Sequence, residues 1–146
     1  MTLIWGVRQE GTDDERNRAR YLFQQLNEDD AQIIIPAVVV AEYLVPVAEK
    51  DRAKVASALS DRFRIVPFDV RSAALAARLF DDFKPNRPKG RPGGRDLLKA
   101  DAMIVASSKT AGARYFYSDD AECREMASSV LTARELPANP TNLFEY

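Results

Sequence analysis

Three acidic residues stand where the surrounding sequence makes an acid costly. Glu42 sits within Val40-Ala41-Glu42-Tyr43-Leu44, and Asp101 within Ala100-Asp101-Ala102-Met103-Ile104-Val105-Ala106. Asp119 follows the run Tyr115-Phe116-Tyr117-Ser118 and precedes Asp120. An ionised carboxylate in an apolar stretch is unfavourable unless a counter-charge or a cation compensates it. Each acid has an ordinary explanation: an arginine across the core for Glu42, the helix dipole for Asp101, an N-cap role for Asp119. Three at one sheet edge point further, because clustered like charges persist when a cation neutralises them.

The chain has no histidine and one cysteine, Cys123. Ser-His-Asp and Cys-His hydrolysis, His-ligated zinc and imidazole acid–base chemistry are therefore excluded. A carboxylate set without histidine suits hard cations, Mg²⁺ or Mn²⁺. Without a basic partner Cys123 reads as an inert residue, and one cysteine fits a reducing cytoplasm. Net charge is −1, so no global field draws in nucleic acid. Locally, Lys84, Arg87, Lys89, Arg91 and Arg95 share a Pro/Gly-rich segment with no acid among them. That segment reads equally as a phosphate-binding loop and as a solvated connector.

The elements that must position these groups follow from periodicity. A helix is expected over 13–27 with Thr12 as N-cap, then a strand over 32–35 stopped by Pro36. A helix over 37–50 carries Glu42, with Pro46 as a kink, and another covers 51–59. A strand over 63–66 precedes a helix over 70–80 capped by Asp69. After the basic segment, Asp96 is expected to cap a helix over 97–110 that Gly112 closes. A strand over 114–117, a short helix from Asp119 and Asp120 to Met126, and a strand near 130–133 complete the chain. Alternating strands and helices call for a mainly parallel sheet covered on both faces, a three-layer α/β/α sandwich. The 146 residues suit one domain, and no apolar run is long enough to span a bilayer. In such sheets ligands sit beyond the carboxyl ends of the strands, where these acids fall.

The segment Ile33-Ile34-Ile35-Pro36-Ala37-Val38-Val39-Val40-Ala41-Glu42-Tyr43-Leu44 resembles the PIN-domain stretch in which a strand and a proline lead into a helix bearing the second acid. Residues 100–106, closed by Gly112, resemble the third-acid helix, and Tyr115 to Asp120 the next strand with its terminal acid. Order, spacing and context match over essentially residues 1–146, most closely for the VapC-like toxins. One departure stands out. Leu3-Ile4-Trp5-Gly6-Val7-Arg8 looks like the stretch that follows the family's first strand and its Asp. The expected Asp then falls upstream of Met1, and the chain is expected to start at an internal Met, lacking a central strand and the first ligand. Asp13 and Asp14 lie too far along to replace it.

The resemblance implies an endoribonuclease that hydrolyses RNA phosphodiesters with Mg²⁺ or Mn²⁺, as the toxin of a toxin–antitoxin pair. Glu42, Asp101 and Asp119 would be catalytic ligands, with Asp120 a further metal ligand. Ser118 and the basic residues Lys84, Arg87, Lys89, Arg91 and Arg95 would contact RNA. A cognate antitoxin and a homodimer are the implied partners, in the cytoplasm. The alternative is a catalytically inactive PIN-like module that binds RNA or protein.

Overall fold

The computed structural model describes residues 2–4, the first three by backbone alone, together with 13–86 and 93–138. Five parallel strands, β1 (Thr2–Ile4), β2 (Ile33–Pro36), β3 (Arg64–Val66), β4 (Tyr115–Tyr117) and β5 (Thr132–Arg134), form a sheet in the order β3-β2-β1-β4-β5. The helices are α1 (Asp13–Glu28), α2 (Ala37–Leu44), α3 (Glu49–Arg62), α4 (Val70–Phe83), α5 (Gly94–Thr110) and α6 (Ala121–Ser128). The chain steps from β1 to β3 one way along the sheet, then from β4 to β5 the other. Right-handed crossovers then place α1 and α3 on one face and α4 to α6 on the other, as the expected α/β sandwich requires.

The expectation of a missing central strand is overturned. The apolar N-terminal run itself holds the central slot, pairing Thr2 with Ile33 on one side and Thr2 through Ile4 with Tyr115 through Tyr117 on the other. Without it, β2 and β4 would each present a row of unmet backbone donors and acceptors inside the sheet. The residue that follows β1 in the chain is Trp5, not an acid.

All four residues of β2 are buried, as a strand covered on both faces demands. Pro36 ends the ladder and is also the N-cap of α2, so the sheet's carboxyl edge passes directly into the helix bearing Glu42. Pro46 breaks the expected 37–50 helix outright rather than kinking it. Arg52 Nε takes up the carbonyls of Leu44 and Val47 freed by the break, at 3.3 and 3.1 Å. Phe116, Ile34, Leu79, Ile104 and Met126 are fully enclosed at the centre of the core.

Asp69 caps α4, accepting from the Ser72 N–H at 2.8 Å and the Ser72 hydroxyl at 2.9 Å. Those bonds, the backbone one first, hold its carboxyl below the ordinary carboxylate value. The enclosed Ser72 hydroxyl also meets Thr110 Oγ at 2.6 Å, fastening α4 to α5. The expected cap at Asp96 is not formed. The α5 helix starts earlier, at Gly94, with Gly93 in left-handed conformation before it, and Asp96 lies in the first turn. There its carboxylate suits the positive helix end without capping it. At the other end Gly112, at φ 82°, donates to Lys109 O at 3.1 Å while Ala113 N–H reaches Ser108 O at 3.0 Å. This is the Schellman pattern, whose left-handed residue favours glycine. The expected Thr12 cap lies outside the described residues.

Candidate functional site

Strand order reverses at β1, between β2 and β4, so a crevice is expected at the carboxyl ends of β1 and β4. The turn Ser118-Asp119-Asp120 leaves β4 at that edge. The α5 helix leads into the start of β4 and so runs against the strands, which turns its N-terminal half and Asp101 toward the same edge. Asp101 is only 8% exposed, with Ala102 and Val105 essentially closed off beside it. Glu42 is half-buried on α2, which packs against α5.

The two acids of the turn have different surroundings. Asp119 pairs with Arg18 of α1, whose guanidinium nitrogens stand 3.2 and 3.4 Å from its oxygens, and it accepts the Leu136 N–H at 3.3 Å. The same guanidinium donates to the carbonyls of Leu136 at 2.6 Å and Pro137 at 3.0 Å. Asp120 turns the other way and caps α6, its Oδ1 accepting from the N–H groups of Glu122 at 2.9 Å and Cys123 at 3.1 Å. Asp119 therefore ties α1 to the segment after β5, while Asp120 borders the α5–α6 contact. Among the described residues no set of three Asp, Glu or Cys side chains stands close enough to hold a cation together.

The fully enclosed Cys123 thiol reports on this region. Burial first, then the negative charges of Asp101 and Asp120, push it far above its ordinary value, and it lies within hydrogen-bonding reach of Asp101 and Ser118. The enclosed thiol therefore stays neutral and inert. Ser118 is 1% exposed, and its hydroxyl accepts the Asp120 N–H at 3.1 Å. Its placement shapes the turn between β4 and α6.

Of the basic segment, Lys84 and Arg95 are described and exposed, with the Lys84 ammonium 5.9 Å from the Phe80 ring centre. Arg87, Lys89 and Arg91 lie outside the described residues. Three other arginines, which no motif singled out, surround the acid turn: Arg18, Arg124 and Arg134. Arg124 donates to Ser118 O at 2.7 Å and to Glu135 Oε1 at 3.0 Å. Their signal is pairing across 6 to 119 residues of sequence, most of it beyond the reach of local pattern.

A family model described as the PIN domain matches residues 4–128. The chain belongs to the PIN-domain family. Similar folds are found in FitAcB from Neisseria gonorrhoeae, at 19% identity and TM-score 0.57, covering 91% of this chain and 96% of that one. VapBC2 from Rickettsia felis, bound to a DNA fragment from its promoter, is 15% identical with TM-score 0.60, over 94% and 100% of the two chains. DNA-bound VapBC from Salmonella typhimurium is 10% identical with TM-score 0.59, over 94% and 99%. Among curated proteins none matches this sequence. These similarities support a VapC-like PIN fold. Among the described residues no helix is long and apolar enough to cross a membrane.

The oxygen-only donor set suits the divalent cation typical of this family. Mg²⁺ is usually held by one or two carboxylates together with substrate phosphates. The buried Asp101 carboxylate fits that mode, whereas a cation caged by protein alone would need a group of side chains that is absent among the described residues.

Proposed function

We propose that this PIN domain is an endoribonuclease of the toxin type, hydrolysing RNA phosphodiester bonds with Mg²⁺ or Mn²⁺ shared between protein and substrate. The observation that carries the reading is the buried Asp101 carboxylate, on the helix whose N-terminal half lies toward the strand-order reversal. Asp101 and Asp120 would hold the ion, with Glu42 acting from the adjoining helix and Asp119 setting the turn through Arg18. When bound, the ion would polarise the phosphoryl oxygen and lower the pKa of the attacking water. Enclosure by Ala102, Val105 and Cys123 keeps the local dielectric low, which strengthens every charge contact made there. The similarity to FitAcB and VapBC supports an antitoxin partner, and the sequence resemblance implies a homodimer in the cytoplasm.

A second reading, an inactive PIN module that binds RNA or protein, draws on Trp5 following β1 and on the absence of a three-acid group among the described residues. One experiment separates the two. A mixed-sequence RNA is incubated with the purified chain in Mg²⁺ or Mn²⁺, beside EDTA and Asp101→Asn controls. Cleavage abolished by both controls is expected. A folded wild-type chain that binds RNA without cutting it assigns the inactive module.

A further inference from the structure

The Arg134 side chain is built unlike its two arginine neighbours. Arg18 and Arg124 are spent on Asp119, Glu135 and backbone carbonyls. Arg134, at the end of the edge strand β5, lies over the Tyr115 ring with its guanidinium carbon 4.0 Å from the ring centre. One of its nitrogens donates to the Tyr117 hydroxyl at 3.5 Å. Among the described residues no carboxylate faces it: the groups acting on it are the two tyrosines, and the neighbouring Glu135 is turned to Arg124. Arg134 is nevertheless exposed, on a strand that pairs only with β4 in the described sheet.

Position gives this cation its meaning. Tyr117 pairs with Arg134 in the ladder, and the next residue, Ser118, donates its N–H to Arg134 O at 3.1 Å. Arg134 is therefore one backbone hydrogen bond from the turn that carries Asp119 and Asp120. A guanidinium seated over an aromatic ring is pre-oriented, and it keeps N–H donors in the fork that matches a phosphate. The half-buried Tyr115 beneath it adds the aromatic–arginine surface that single-stranded nucleic acid uses for stacking.

We infer that Arg134, seated on Tyr115 and Tyr117, is a phosphate-binding residue for single-stranded RNA, gripping a phosphodiester next to the one presented to Asp101 and Asp120. The inference rests on the endoribonuclease reading for its choice of RNA, but it concerns binding and is tested without catalysis. In a chain of net charge −1, a guanidinium with no carboxylate partner on the strand next to the acid turn offsets the repulsion of a polyanion.

The test titrates a fluorescein-labelled, mixed-sequence single-stranded RNA in EDTA and follows anisotropy at several salt concentrations. The proteins are wild type, Arg134→Gln, Arg134→Lys, Tyr115→Leu and Arg64→Gln, the last removing the same charge from the opposite edge strand β3. Arg134→Gln is expected to weaken binding roughly tenfold and to reduce the slope of log K against log salt by about 1. Arg134→Lys should recover part of the affinity and Tyr115→Leu lose part of it, with Arg64→Gln within about twofold of wild type. Circular dichroism melts establish that each variant is folded. Wild-type affinity in folded Arg134→Gln, an equal loss in Arg64→Gln, or no RNA binding by the wild type each overturns the inference. Cleavage of the same RNA in Mg²⁺ is scored separately: binding that depends on Arg134 without cleavage sinks the nuclease reading and leaves this one standing.

Discussion

Replacing Arg18 with methionine should destabilise the protein far more than a surface ion pair would. The substitution keeps an unbranched stem and a good helix former in α1 while removing the guanidinium. Arg18 and Asp119 side chains are 20% and 32% exposed, so their pairing belongs near the upper end of the surface scale, about 1 kcal/mol. Its bonds to the carbonyls of Leu136 and Pro137 add about 1 kcal/mol each. The expected loss is then about 3 kcal/mol, a fall in Tm of roughly 10 °C for a chain of this size. Urea unfolding followed by circular dichroism, with the slope m unchanged, gives the value directly. A cycle with Asp119→Asn isolates the ion pair, and a coupling of about 1 kcal/mol is expected. A loss under about 1 kcal/mol for Arg18→Met, or two substitutions that add within about 0.3 kcal/mol, would refute the clamp. RNA cleavage should fall in the same variant, because the clamp holds the turn that carries Asp120.

Three further outcomes follow from the structure. Native Cys123 should resist a thiol reagent at pH 8 and react once urea unfolds the chain; prompt full labelling of folded protein would contradict its enclosure. Because its folded pKa is raised, its contribution is fully present below the unfolded value near 9.0 and is lost as pH rises above it. The unfolded thiol there releases a proton that the folded one keeps, so stability should fall by up to about 1.4 kcal/mol per pH unit, a slope that Cys123→Ala should flatten. Gly112→Ala should cost about 1 kcal/mol through the left-handed backbone alone, since an added Cβ meets nothing within 4 Å. An unchanged urea midpoint would refute that cost.

Much of the fold was legible locally. The β-branched run ending at Pro36, the apolar periodicity around Asp101 and the Asp69 cap specify their elements through nearest-neighbour sterics and capping bonds, which act over a few residues. Histidine-free composition likewise limited the chemistry to carboxylates and hard cations. What pattern could not reach was settled by contacts distant along the chain. Thr2–Ile4 fills the sheet centre because β2 and β4 both need a partner, a demand that arises once the sheet exists. Asp119 and Asp120 are chemically identical neighbours, yet one meets Arg18 from α1 and the other caps α6 through the N–H groups of Glu122 and Cys123. Arg134 reads as an ordinary surface arginine until β5 pairs with β4 and sets it on Tyr115. Residue types and local periodicity thus determined which groups could do chemistry and which elements carry them. Tertiary packing alone decided which acids are paired or capping and which cations are left for a substrate, because charge interactions depend on distance and burial rather than on order along the chain.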